Sequence, residues 1–137
     1  MLAATSITRV HQMHGRDRRC SLRSVSTSRF EVLALLTFSR AGELPMGKIG
    51  DRLQVHAASV TNTIQRLERL GFVRRVPHPA DGRTTLARIL DPGRHAARRG
   101  AHALAAIEFG LDGLDSPGRS RLFDTLVGFR RANGDFG

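Results

Sequence analysis

One segment of the chain combines an apolar side with side chains suited to contacting nucleic acid. Residues 57–70 follow the 3.6-residue period of an amphipathic helix, in which Val60, Ile64 and Leu67 share one side. Amide, hydroxyl and guanidinium groups lie on the remaining sides, on Ser59, Thr61, Asn62, Gln65, Arg66 and Arg69. Amides match the hydrogen-bonding edge of adenine, and Arg, Ser and Thr suit phosphates. The pattern therefore predicts a helix that reads DNA.

The charge of the chain favours a polyanionic partner. Its 137 residues carry 22 basic and 12 acidic side chains, which gives a net charge of +10. The excess is concentrated in two segments, because residues 1–29 carry six Arg against one Asp and residues 71–90 carry four Arg against one Asp. A basic surface of this size is typical of nucleic-acid-binding domains. A merely soluble basic surface is the alternative interpretation.

The helix just described is predicted to be the second of a helix-turn-helix. Pro45 suits the first turn of the preceding helix, and residues 54–56 form the turn between the two. Gly71 stands where a left-handed C-terminal cap is expected. The first helix of the pair is predicted to bury Met46, Ile49 and Leu53.

A core helix is expected upstream of this pair. Residues 30–38 are strongly apolar, Ser28 is a candidate N-cap, and Glu31 would lie in the first turn, where the helix dipole favours it. Residues 41–42, Ala-Gly, are expected to end this helix.

A β-hairpin is predicted after the helix-turn-helix. Residues 72–77 and 84–90 are short runs rich in β-branched side chains, and a polar loop of residues 78–83 joins them. Asp81-Gly82 within that loop is a strong turn signal.

Two helices are expected to complete the chain. Asp91-Pro92 and Ser116-Pro117 are helix-start signals. The first of these helices carries one apolar face, made by Ala97, Gly100, Leu104, Ile107 and Leu111. The second has a broader one, made by Leu122, Phe123, Leu126, Val127 and Phe129. Faces this apolar on so small a domain favour contact with a partner subunit.

These elements together predict a mainly α fold with a small β-hairpin wing, that is, a winged helix-turn-helix with helical dimerisation extensions. We expect an N-terminal helix and loop over residues 1–29, partly disordered and a candidate for dimerisation. The DNA-binding domain is expected over residues 30–90, and the C-terminal dimerisation helices over residues 91–137.

Residues 47–94 resemble the MarR family of bacterial transcriptional regulators. The resemblance rests on Ser59-Val60-Thr61, on the helix exit at residues 67–73, and on Asp81-Gly82-Arg83 in the hairpin. It implies a homodimer whose recognition helices enter successive major grooves of a pseudo-palindromic operator, while the wings reach adjacent minor grooves. It also implies a regulator, here expected to be a repressor, that responds to a small-molecule effector.

The resemblance assigns roles to the hairpin. Arg83 resembles the wing-tip arginine of the family, and a guanidinium is favoured in a narrow minor groove. Asp81 is expected to orient Arg83 or the turn, and Arg74 and Arg75 are expected to contact phosphates. The complete set of predicted DNA-binding residues is Ser59, Thr61, Asn62, Gln65, Arg66, Arg69, Arg74, Arg75, Asp81 and Arg83.

Within the recognition helix the roles divide further. Asn62 and Gln65 are expected to read adenine edges, whereas Ser59 and Thr61 are expected to hold phosphates near the helix N-terminus. The arginines of this helix, Arg66 and Arg69, have an alternative role as partners of Glu68 or as solvated side chains.

Other functions have weaker support in the sequence. A redox- or metal-responsive regulator would use Cys20 or the pair His11 and His14, but the chain has no tyrosine to accompany the thiol and too few ligands for a closed zinc site. A basic nucleic-acid-binding protein without operator selectivity is a further alternative. We expect no cofactor and no bound metal.

Neither an enzyme nor a membrane protein is expected. The sequence has no glycine-rich phosphate loop, no nucleophile elbow and no paired carboxylates in a plausible cleft. It has no apolar run of membrane-spanning length, and its first residues lack the apolar core of a secretion signal. With a single cysteine, these features favour the cytoplasm.

Overall fold

The computed structural model describes residues 26–106, 108–111 and 113–134. A short 3₁₀ turn at Glu108–Gly110 separates the last two helices. The elements in chain order are α1 (Thr27–Phe38), β1 (Glu43–Pro45), α2 (Met46–Leu53), α3 (Ala57–Arg69), β2 (Val73–His78), β3 (Asp81–Ile89), α4 (Asp91–Ala105) and α5 (Ser116–Ala132). The predicted mainly α fold with a helix-turn-helix and a hairpin wing is confirmed.

The apolar side of α3 is held in a core shared by four helices. Ile64 and Leu67 are fully buried, and Val60 is nearly so. They join Leu33 and Leu36 of α1, Ile49 of α2 and Leu104 of α4. Burying a side chain of this size stabilises the fold by roughly 1.5–3 kcal/mol. The orientation of α3 is therefore set by its apolar side, which leaves its polar side outward.

The sheet contains a strand that the sequence analysis missed. Its order is β1–β3–β2, with antiparallel pairing throughout, and Glu43 of β1 lies opposite Arg88 of β3. The side chains of these two residues form an ion pair. Pro45 is the last residue of β1 and the N-cap of α2, one residue before the first helical turn in which it was expected.

The limits of α1 also differ from the prediction. The helix begins at Thr27 with Ser26 as its N-cap, so Ser28 lies inside the helix and Glu31 lies beyond its first turn. The helix ends at Phe38, before the predicted Ala-Gly stop. Ser26 accepts a hydrogen bond from Nε of Arg29 at 2.9 Å, and this contact orders the start of the helix.

The hairpin turn is shorter than the sequence suggested. His78 pairs with Asp81, so the connection consists of Pro79 and Ala80 alone. Nδ1 of His78 accepts a hydrogen bond from the backbone N–H of Ala80 at 3.2 Å. Asp81-Gly82 therefore begins β3 instead of forming the turn.

α4 begins against the exit of the recognition helix. The backbone N–H of Leu90 donates to the carbonyl of Phe72 at 2.9 Å. A Cβ atom on Gly93 would lie only 2.2 Å from that same carbonyl oxygen, so glycine is needed for this close approach. The start of α4 and the end of α3 are thereby joined through Phe72.

The two C-terminal helices are separated sooner than predicted. α4 ends at Ala105, and Glu108 and Phe109 have positive φ angles of 46° and 58°, so Leu111 lies outside the helix. The start of α5 agrees with the prediction within one residue, because Asp115 is the N-cap and accepts from the N–H of Gly118 at 2.8 Å. None of the helices described here is long and apolar enough to cross a membrane.

Candidate nucleic-acid interface

The N-terminal end of α3 is open to an anion. Its first turn contains no acidic residue, and His56 at the N-cap position makes no side-chain capping bond. Ser59 is exposed in this turn. Because a helix N-terminus carries a partial positive charge and N–H groups without intrahelical partners, this end of α3 suits a phosphate.

The predicted base-reading side chains lie on the outward side of α3. Asn62 is exposed and Gln65 is half-buried, while Arg66 and Arg69 are exposed on the following turns. Thr61 is half-buried, and its hydroxyl donates to the carbonyl of Ala57 at 3.0 Å. In this conformation Thr61 offers an acceptor, because its hydroxyl proton is already engaged.

The carboxylate of Glu68 joins α3 to the first strand of the wing. Oε1 of Glu68 accepts from the backbone N–H of Arg75 at 3.0 Å, and Oε2 accepts from Nε of Arg75 at 2.9 Å. A second guanidinium nitrogen of Arg75 lies 2.9 Å from Oε2. The sequence had suggested Arg66 or Arg69 as the partner of Glu68, and the structure shows Arg75 instead.

This contact also changes the acidity of the carboxyl group. The backbone N–H of Arg75, assisted by its guanidinium, holds the pKa of Glu68 below its ordinary value. Partial desolvation opposes this effect without reversing it. Glu68 is therefore ionised at neutral pH, and the positive charge of Arg75 is matched by it.

Asp81 orders the start of β3. Its Oδ1 accepts from the backbone N–H of Arg83 at 3.0 Å, and its Oδ2 accepts from the hydroxyl of Thr84 at 2.6 Å. Both bonds lower the pKa of Asp81, and the bond from Thr84 has the larger effect. Asp81 was expected to orient Arg83 or the turn, and the contacts it makes are with the backbone of Arg83 and the side chain of Thr84.

Residues of α2, α3 and the wing line an open polar recess of about 430 Å³. Arg83 of β3, close to the hairpin turn, is one of the residues that line this recess. The side of the recess next to α2 is formed by Met46 and Gly47. The remaining lining residues are Thr61, Arg75, Thr84 and Thr85. Arg74 is exposed on β2 outside this group.

Comparison with known proteins identifies the family. The MarR family model matches residues 25–85. The chain is similar along nearly its whole length to Sco5413, a MarR family transcriptional regulator from Streptomyces coelicolor. The identity is 43%, the match covers 99% of this chain and 96% of that one, and the TM-score is 0.91. The chain belongs to the MarR family.

Two further proteins are similar to this MarR family chain over a shorter stretch or at lower identity. An uncharacterized HTH-type transcriptional regulator from Mycobacterium bovis is 38% identical over 72 residues, a match that covers 50% of this chain and only 50% of that protein. The structure of a mutant MarR from E. coli complexed with operator DNA has a TM-score of 0.83 at 19% identity and covers 94% of each chain. At 19% identity, this similarity shows a shared fold and nothing more specific.

Family membership places the chain among DNA-binding transcriptional regulators and not among enzymes.

Two hypotheses from the sequence, a redox-sensing cysteine and a metal site, concern residues outside this interface. His11, His14 and Cys20 lie outside the described residues. Within residues 26–106, 108–111 and 113–134 no three metal-binding side chains are grouped in a way that could hold an ion.

Glu68 belongs to this site although it was not among the residues predicted from the sequence to contact DNA. Its only signal was its position, since an acidic side chain in the last turn of α3 is disfavoured by the helix dipole. A residue placed against that preference needs a compensating contact, and Arg75 provides it.

Proposed function

We propose that this MarR family protein is a transcriptional repressor that binds a pseudo-palindromic operator as a homodimer and is released by a small-molecule effector. The observation that carries the proposal is the placement of α3 and the wing around one polar recess, which Thr61 of α3 and Arg83 of the wing both line. A duplex lying along this face would meet both elements at once.

The proposed contacts follow from exposure and chemistry. Asn62 and Gln65 read base edges in the major groove, and Ser59 with the N-terminus of α3 holds a phosphate. Arg83 enters the adjacent minor groove, where the negative potential is strongest when the groove is narrow. Phosphates around these positions are held by Arg66, Arg69 and Arg74, whereas Thr61, whose hydroxyl donates to Ala57, has no proton left to donate to a phosphate.

The homodimer is proposed to form through the C-terminal helices. No residue of α5 is buried in the described chain, and Phe123 and Phe129 are 65% and 66% exposed. A second copy would cover this stripe and hold the two recognition helices about one DNA turn apart, ~34 Å.

The effector is proposed to act at the junction between the helical and DNA-binding parts. The start of α4 is bonded to Phe72 at the exit of α3, so a displacement of α4 moves the recognition helix with it. A ligand that favours one position of α4 would change the spacing of the two recognition helices and thereby the affinity for the operator.

A fluorescence-anisotropy titration tests the proposal against non-selective binding. The duplexes are the DNA upstream of the protein's own gene and a shuffled duplex of equal length and base composition, both at physiological salt. An operator-specific regulator is expected to prefer its site by about 10³-fold or more. Equal affinities would support the alternative of a general basic nucleic-acid-binding protein, which the net charge of +10 favours. No binding even at low salt would refute both.

A further inference from the structure

Glu68 is an unexpected residue on a surface that is to meet DNA. It places a negative charge in the last turn of α3, between the basic residues Arg66 and Arg69. Both the helix dipole and DNA phosphates disfavour a carboxylate at this position. Its presence therefore weakens general attraction to DNA, so it needs another explanation.

The contacts of Glu68 supply that explanation. Its two oxygens take three contacts from a single residue, the backbone N–H and two guanidinium nitrogens of Arg75, at 2.9–3.0 Å. The backbone contact matters most for geometry, because it holds the main chain of β2 and not only a flexible side chain. The two partners are seven positions apart in the sequence, and the left-handed Gly71 lies between them.

The same contact governs how Arg75 can be used. Arg75 lines the recess between α3 and the wing together with Arg83. The guanidinium of Arg75 is engaged by Glu68, whereas within the described part of the chain Arg83 forms no ion pair. Only one of the two recess arginines is thus available to a phosphate or a base edge.

We propose that Glu68 and Arg75 form a brace that fixes the wing relative to the recognition helix, so that both can engage DNA only in one relative position. Arg75 is in this account a positioning residue and not a DNA contact. The brace lowers affinity for arbitrary DNA and raises selectivity for a site whose major and minor grooves match the fixed geometry. This inference rests on the proposed function, whose failure would appear first as an absence of selective binding by the unaltered protein.

The salt dependence of binding separates a brace from a direct contact. Each neutralised phosphate contributes a slope of about −0.9 to log K against log salt concentration. If Arg75 does not contact DNA, Arg75→Met leaves the slope unchanged but lowers the ratio of operator to random-DNA affinity. Glu68→Gln frees the Arg75 guanidinium, so the slope steepens by about one phosphate and random DNA binds more tightly.

The experiment measures operator and random-DNA affinities at several salt concentrations for the full chain and its variants. We expect Glu68→Gln to lower the affinity ratio about three- to tenfold, in the range of coupled neighbouring residues. The double variant Glu68→Gln/Arg75→Met should recover the original slope but not the ratio. Asp51→Asn, at an exposed site of α2, is the matched control for loss of one negative charge and should raise both affinities equally.

Two results would overturn the brace. One is an unchanged affinity ratio in Glu68→Gln while the unaltered protein binds its operator selectively. The other is a slope that becomes shallower by about one phosphate in Arg75→Met, because it would make Arg75 a direct contact. Circular dichroism at the titration temperature establishes that each variant is folded, which an exposed ion pair should not prevent.

Discussion

At the scale of single residues, the arginines near α3 have different partners. The guanidinium of Arg75 is bound by Glu68, whereas Arg83 lines the same recess without an ion-pair partner among the described residues, and its backbone N–H is held by Asp81. Equal formal charge thus does not mean equal availability to DNA. Residue type predicts which side chains can bind a phosphate, but the contacts determine which of them are free to do so.

Arg83→Ala tests the proposed minor-groove contact. We expect operator binding to weaken by about 1–3 kcal/mol, with fold stability unchanged because the side chain is exposed. Arg98→Ala is the charge-matched control, since Arg98 is exposed on α4, outside the proposed DNA-binding elements. Equal effects of the two substitutions in an anisotropy titration would mean that Arg83 acts only through general charge.

The lowered pKa of Glu68 leads to a pH prediction. A carboxyl group whose pKa is lower when folded stabilises the fold fully above its ordinary value of 4.5. That stabilising contribution is lost as the pH falls through the lowered pKa that Glu68 has in the folded protein. We expect Glu68→Gln to have a lower melting temperature than the unaltered protein at neutral pH, and the difference to shrink as the pH falls below 4.5 and through the lowered pKa of the folded state.

Scanning calorimetry of the two proteins at each pH measures this difference. A pH-independent difference would contradict the contribution of an ionised Glu68. Asp51→Asn is again the control, because no described side chain forms an ion pair with Asp51.

Which residues could be foreseen depends on whether their partners are local. Val60, Ile64 and Leu67 were predicted to be buried because helical periodicity alone places them on one side, and they are buried. The partner of Glu68 was not predictable from helical spacing, because the basic residues near Glu68 on the same helix are Arg66 and Arg69. Arg75 reaches Glu68 only because Gly71, at φ +69°, turns β2 back beside the end of α3.

At the scale of elements, helices and strands were predicted most accurately where the local sequence alone determines them. The left-handed Gly71 follows from a local signal and was right, and the start of α5 was right within one residue. β1 was missed because a strand of three residues exists only through its pairing with β3. The hairpin turn was misplaced because the register that pairs His78 with Asp81 overrides the Asp-Gly signal.

The junction of α3 and α4 gives a prediction at this scale. Gly93→Ala would set a methyl group 2.2 Å from the carbonyl oxygen of Phe72, which is backbone and can move only with its element. We expect a loss of about 1–3 kcal/mol in the free energy of unfolding, as for overpacked sites. Urea denaturation measures it.

Gly47→Ala is the matched control for that substitution. A Cβ atom on Gly47 would meet no atom within 4 Å, and the residue lies in α2. Because alanine is favoured over glycine inside helices by about 0.5–1 kcal/mol, this variant should be as stable as the original or slightly more so. A Gly93→Ala variant as stable as Gly47→Ala would show that the contact with Phe72 does not constrain α4.

At the scale of the whole molecule, the described chain leaves an apolar stripe without a partner. Leu126 is 39% exposed, beside the even more exposed Phe123 and Phe129. The three side chains lie on one side of α5 at helical spacing. A second copy is the proposed occupant of this stripe, as the sequence pattern had predicted.

Replacing Phe123 and Phe129 together by Ser is expected to shift the protein towards a monomer in sedimentation-velocity experiments at micromolar concentration. Operator affinity should fall as the dimer dissociates, because a monomer contacts only one half-site. Arg121→Ser, on the opposite side of α5, is the control and should sediment as the unaltered protein does. A double variant that sediments unchanged would remove this stripe from the interface.

The central claim is that two copies of α3 and its wing read a symmetric DNA site. Selection of bound fragments from a random duplex library, followed by sequencing, tests that claim most directly. The account predicts enrichment of a pseudo-palindrome whose half-sites lie about one helical turn apart, ~10 base pairs centre to centre. Enrichment of a single unpaired half-site, or no enrichment above the starting library, would contradict it.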